Sequence, residues 1–145
     1  MKKLLISALT AVALISFGSV NAHECHNHEN MGEMKKDEKS INLIVNVTHS
    51  ESGKCLMAFN FAKVAKMRGH NVVVWLNSDA VKLADANGKN KEVVKKLIDE
   101  GIKVYVCPVC SKRFGVKKLV ERAEFSNPDI IFGILTKEDT KVVSW

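Results

Sequence analysis

Beyond residue 40 the apolar and polar positions fall into a regular beat. Ile41 to Val47, INLIVNV, is an apolar run of strand length. Gly53 to Arg68 follows with Leu56, Phe59, Val64 and Met67 at helical spacing, and Gly69 stops it. Asn71 to Leu76, NVVVWL, is β-branched and almost wholly apolar, which predicts a central strand buried on both faces. Lys89 to Glu100 places Val93, Val94, Leu97 and Ile98 on one helical face, with Gly101 as its stop, and Ile102 to Val106 is the next strand. Val116 to Arg122 reads as a further helix. Asn127-Pro128 offers a capping residue and a first-turn proline ahead of Ile130, Ile131, Ile134 and Leu135. Thr140 to Trp145, TKVVSW, closes the chain as a last strand.

The order helix, glycine, apolar strand thus occurs twice, which argues for βαβ units. The expected fold is α/β: a three-layer α/β/α domain with a mostly parallel sheet of about five strands. In such sheets the chemistry sits in the crevice beyond the carboxyl ends of the strands. Three segments are expected to meet there: THSESGKC after the first strand, NSDAV after the second and CPVC after the third.

The chain's first residues change the picture by naming a compartment. Met1-Lys2-Lys3 is a short basic start, Leu4 to Phe17 is apolar apart from Ser7, Thr10 and Ser16, and Val20-Asn21-Ala22 has the small-residue pattern of a signal-peptide cleavage site. Residues 1–22 are read as a signal peptide cut after Ala22. The apolar run falls short of the roughly 20 residues a spanning helix needs, so no stable membrane anchor is expected. Glu24 directly before Cys25 does not suit lipoprotein processing, and no twin arginine precedes the run, so the route is general secretion to a periplasmic or extracellular space. Residues 23–40, HECHNHENMGEMKKDEKS, are rich in histidine and charge and too poor in apolar side chains to order themselves; they read as a flexible tail. Residues 41–145 make a single domain. The net charge of +6 is spread over many lysines, without the arginine clusters or interleaved aromatics of a nucleic-acid surface.

Four cysteines, Cys25, Cys55, Cys107 and Cys110, follow the leader into an oxidising space. Cys107 and Cys110 stand in VYVCPVCSKRFGV at the predicted end of a strand. If a helical turn starts at Val109, the Cys107 sulfur lies near unpaired backbone N–H groups that favour thiolate over thiol, with Lys112 and Arg113 adding positive charge. Cys107 is then the candidate nucleophile and Cys110 the thiol that resolves an adduct on it. A local static disulfide is the structural alternative. A thioredoxin-like site is disfavoured because two βα units precede the pair and Pro128 reads as a helix start. A zinc ribbon lacks its second knuckle, since Cys25 and Cys55 are far apart in sequence.

Other residues carry weaker signals. Cys55 reads as a small space-filling residue at a helix start, His49 as a loop histidine within reach of the crevice, and Asp79 as a cap for the segment that follows it. In the tail, His23, Cys25, His26 and His28 lie close together and form a candidate site for copper or a divalent metal such as zinc or nickel. A non-catalytic, metal-capturing or structural oligomer is therefore the alternative to thiol chemistry. Phosphate-loop, dinucleotide and metalloprotease motifs are absent, and the thiol reading requires no organic cofactor.

The segments VVVWLNSDAV at 72–81, GIKVYVCPVCSKRFGV at 101–116 and the terminal TKVVSW together resemble the DsrE/DsrF-like family, in particular its YchN-like branch. The resemblance covers nearly all of residues 41–145. It implies a single α/β domain with a five-stranded sheet, assembled into homo-oligomers, commonly trimers or hexamers. It also implies that Cys107 occupies the position that carries a persulfide to a partner protein in the family's sulfur relays, with Cys110 as the second cysteine of the YchN-like branch. Relatives usually have arginine then glycine after the pair, whereas here Phe114 stands at the arginine position and Arg113 one residue earlier. The family's relays are cytoplasmic, so an exported member departs from them.

Overall fold

The computed structural model describes residues 39–145. The expected leader and nearly all of the tail, with its candidate ligands His23, Cys25, His26 and His28, lie outside the described residues. Lys39 and Ser40 are tied to the domain: Lys39 pairs with Asp139, and the Ser40 hydroxyl donates to the Gly69 carbonyl at 2.9 Å. Among the described residues no helix is long and apolar enough to cross a membrane.

Strands β1 (Asn42–Val47), β2 (Asn71–Leu76), β3 (Lys103–Val106), β4 (Glu124–Phe125) and β5 (Thr140–Ser144) form one sheet in the order β4-β3-β2-β1-β5, and every pairing is parallel. Helices α1 (Ser52–Met67), α2 (Lys91–Asp99), α3 (Pro108–Phe114) and α4 (Pro128–Leu135) make the crossovers, with a 3₁₀ segment over Ser78–Ala84 ahead of α2. Alternation along the strands splits the sheet's two faces. Leu43, Val45, Val47, Val72, Val74, Leu76, Val104 and Val106 join the main core, which α1, α2 and the 3₁₀ segment close with Phe59, Leu97 and Leu83. The opposite face, with Val73, Trp75 and Tyr105, receives α4. Chain direction explains this: the first three crossovers step one way across the sheet, whereas the fourth returns past β1 to the far edge. A right-handed connection must then place its helix on the other side.

Two expectations need correction. Residues 116–122 are not helical. Gly115 ends α3 at a φ of 75°, a left-handed conformation that favours glycine, and the following chain pairs with the segment around Asp85 through Val120 N–H to Ala84 O at 2.8 Å and Ala86 N–H to Lys118 O at 2.9 Å. The buried face of α1 also differs from the apolar positions that predicted it. Cys55, Ala58, Phe59, Ala62 and Ala65 are buried, whereas Leu56 and Met67 are exposed.

The cap of α4 forms as its sequence predicts, Asn127 Oδ1 accepting from the Ile130 N–H at 2.8 Å with Pro128 in the first turn. Asn127→Ala is expected to cost about 1 kcal/mol, the usual worth of such a cap. Urea denaturation of the two proteins measures it.

Candidate functional site

The ladder runs one step past the strands and lines up their carboxyl ends. Asn77 N–H donates to Val47 O, Cys107 N–H to Leu76 O and Ser126 N–H to Val106 O, each at 2.9 Å. Cys107 is therefore held at the sheet edge by the backbone of β2, not left in a free loop. The three segments expected to converge do so. Asp79, from the loop after β2, accepts from the Ser50 N–H at 3.2 Å and the Ser50 hydroxyl at 2.5 Å, and α3, which carries Cys110, packs against the 3₁₀ segment that begins at Ser78. Ser78 reaches that position with a left-handed φ of 48°, a conformation few non-glycine residues adopt.

Cys107 is the N-cap of α3. Its backbone is extended, Pro108 fills the first helical position, and its Sγ accepts from the Cys110 N–H at 3.5 Å. The side chains also meet. Burial, first, and hydrogen bonding to the Cys107 sulfur, second, push the Cys110 thiol above its ordinary range, against smaller opposing pulls from the Ser78 N–H and the Arg113 charge. Cys110 is therefore the member of the pair whose thiol form its surroundings favour. Both residues are half-buried, and all three described cysteines are free thiols.

The remaining candidates separate from this pair. Cys55 is buried in the main core, its Sγ donating to the Ser52 carbonyl at 3.3 Å, and desolvation raises its thiol. His49 bonds to its neighbour Thr48 at 2.8 Å and is exposed. Asp79 is not a cap: Asn77 precedes the 3₁₀ segment without a side-chain cap bond, and Asp79 instead staples the loop after β1 to the loop after β2. Phe114 lies under the Lys82 ammonium at 4.7 Å and beside the Arg113 guanidinium at 5.8 Å. No group of three or more His, Cys, Asp or Glu able to hold a metal ion occurs among the described residues.

The Ser50 hydroxyl, more than any other group, holds the Asp79 carboxyl below the usual carboxylate range. A depressed native value means that this stabilisation is complete above the unfolded value of about 3.9 and is lost as pH falls through the native one. Ser50→Ala is expected to move the Asp79 titration back up toward its ordinary position, as followed by NMR.

A cavity of ≈ 300 Å³ opens directly beside Cys107 on the α4 side of the sheet, walled by Trp75, Ile131, Phe132 and Leu135. A larger cleft of ≈ 440 Å³ lies at the strands' amino ends, between Asn42, Asn71, Lys103 and Lys137. No cysteine lines it, whereas Cys107 lines the smaller one. Sequence reasoning missed Trp75 and the α4 wall. The only available signal was the two-residue strand period, which puts Cys107 on the face of Tyr105 and, by the register Trp75 to Tyr105, of Trp75.

Comparison with known proteins agrees with the fold. The profile of the DsrE/DsrF-like family matches residues 39–142. The YchN protein of E. coli superposes with a TM-score of 0.58 at 17% identity, covering 74% of this chain and 100% of its own. A protein of unknown function from Methanobacterium thermoautotrophicum gives a TM-score of 0.60 at 10% identity, over 73% of this chain and 100% of its own. A conserved protein of unknown function from Bacteroides thetaiotaomicron gives 0.60 at 20% identity, over 72% of this chain and 94% of its own. No curated protein matches.

Proposed function

The chain belongs to the DsrE/DsrF-like family, and on that premise we propose that it carries sulfur or exchanges disulfides through Cys107, assisted by Cys110. The observation that carries this reading is the asymmetry of the pair. The Cys107 sulfur caps α3, accepts the Cys110 N–H and opens on the cavity, whereas burial pushes the Cys110 thiol above its ordinary range. A sulfur at a helix start that opens on a cavity is the one placed to attack, and the thiolate is the form in which a cysteine does so.

In the transfer step the Cys107 thiolate attacks the outer sulfur of a donor persulfide, R–S–SH. The Cys107 Sγ–S bond forms, the donor S–S bond breaks, and R–S⁻ leaves with the electron pair. An acceptor thiolate then takes the outer sulfur and restores Cys107. Alternatively Cys110 loses its proton and attacks Cys107 Sγ. That forms the intramolecular disulfide, reduces the outer sulfur to hydrogen sulfide and requires a later reductant.

In this reading the protein works after export, supported by the apolar leader and its Val20-Asn21-Ala22 cleavage pattern. It works as a homo-oligomer, supported by the exposed apolar side chains Met57 and Met67 of α1 and Val142 of β5.

The test is to isolate the protein from its native compartment under acid quench, trap thiols and persulfides, and map every cysteine by mass spectrometry. A persulfide or a free thiol at Cys107 is expected. A Cys107 to Cys110 disulfide that resists reduction would overturn the proposal and leave the pair structural.

A further inference from the structure

Resting on that reading, we propose that the cavity beside Cys107 selects an uncharged sulfur compound, an organic persulfide or disulfide with an aromatic or aliphatic body, over charged small thiols and their disulfides. The nucleophile is part of the cavity wall, together with Trp75, Val109, Ile131, Phe132 and Leu135. Among the described residues its lining includes no charged side chain. At ≈ 300 Å³ it lies at the small end of ligand pockets, enough for one aromatic ring and its sulfur atoms.

Two further observations specify the occupant. Val109 and Phe132 are 76% and 63% exposed at the mouth, so apolar surface is offered where a small molecule would enter. Trp75 has its indole N–H buried without an acceptor among the described residues. Closed off from the cavity, that N–H offers an occupant no polar contact, so Trp75 presents only apolar ring surface there. A charged occupant would lose its hydration against walls with no counter-charge.

The chemistry needs no partner beyond the occupant. The Cys107 thiolate attacks one sulfur of R–S–S–R, forming the mixed disulfide and expelling R–S⁻. Cys110 gives up its proton and attacks Cys107 Sγ, releasing the second R–S⁻. The occupant is reduced to two thiols and the cysteine pair is oxidised to a disulfide.

The experiment compares two aromatic disulfides on the reduced full chain: neutral 2,2′-dithiodipyridine and dianionic 5,5′-dithiobis(2-nitrobenzoate). Initial rates of adduct formation at Cys107 are quenched, mapped by mass spectrometry and divided by each reagent's rate with free cysteine. The normalised rate is expected to favour the neutral reagent at least about tenfold, given apolar burial of one ring and the cost of desolvating a carboxylate. That preference runs against the chain's net charge of +6, which by steering alone would favour the anion. Phe132→Lys, a change at an exposed position, is expected to erase most of the preference by placing a cation at the mouth. A wild-type ratio no higher than that of free cysteine overturns the apolar site and leaves the thiol chemistry standing. Failure of both reagents to mark Cys107 overturns the thiol chemistry and this inference with it.

Discussion

Cys107→Ser is expected to lower the rate of labelling by a sulfane-sulfur donor at least about a hundredfold, because a serine hydroxyl at neutral pH supplies almost none of the anion that a thiol does. Cys110→Ser is expected to leave loading close to wild type and to prolong the adduct on Cys107 at least about tenfold, since no internal thiolate remains to displace it. The contrast follows from the geometry. Cys107 is fixed at the sheet edge by its N–H bond to Leu76 and opens on the cavity, whereas burial pushes the Cys110 thiol above its ordinary range. Resolution of the adduct by Cys110 needs its thiolate. Because its titration lies above the ordinary thiol range, the rate of resolution in the wild-type protein is expected to go on climbing with pH through the range in which an ordinary thiol levels off. Quenched-flow labelling followed by peptide mass spectrometry measures both steps. Equal labelling of Cys107→Ser would remove Cys107 from the chemistry, and an adduct lifetime unaffected by Cys110→Ser would remove Cys110 from resolution.

Where local pattern and three-dimensional surroundings agree, the fold was legible from the sequence. The runs INLIVNV and NVVVWL become β1 and β2, paired in parallel over their whole length, because β-branched residues suit a strand whose two faces are both covered. Local pattern misled at residues 116–122. Val116 and Val120 are buried four residues apart, the spacing of a helical face, yet they reach the core from an irregular segment whose backbone bonds go to Ala84 and Ala86. Strand β4 gave no signal at all: its two residues, Glu124 and Phe125, are exposed, and only the backbone ladder with β3 makes them a strand. The cysteine pair was legible because its chemistry is local, a strand end followed by a helix start. Its cavity was not, since Trp75 and Ile131 reach Cys107 only through the parallel register of β2 on β3 and the return of α4 across the opposite face.

The same distinction governs the largest stability effect. Phe59→Ala is expected to destabilise the domain by about 3–5 kcal/mol, whereas Leu56→Ala and Met67→Ala are expected to stay within about 0.5 kcal/mol, although all three residues belong to the apolar pattern that predicts α1. Phe59 is 1% exposed, while Leu56 is 44% and Met67 63% exposed. The rest of the buried face of α1 consists of Cys55, Ala58, Ala62 and Ala65, small side chains that let the helix lie close to β1 and β2. Phe59 is therefore the one large side chain that α1 contributes to the core. Truncating it removes apolar burial and leaves a cavity between a helix and a sheet that cannot move closer at the alanines. The loss should appear as a fall in the urea midpoint at unchanged slope, which marks a change in stability without a change in the surface exposed on unfolding. Since α1 begins at Ser52, two residues after the Ser50 that binds Asp79, loosening it should also weaken that staple and shift the Asp79 titration upward. A loss in Leu56→Ala or Met67→Ala comparable to that in Phe59→Ala would mean that the exposed face of α1 is buried in solution, as it would be against a second copy.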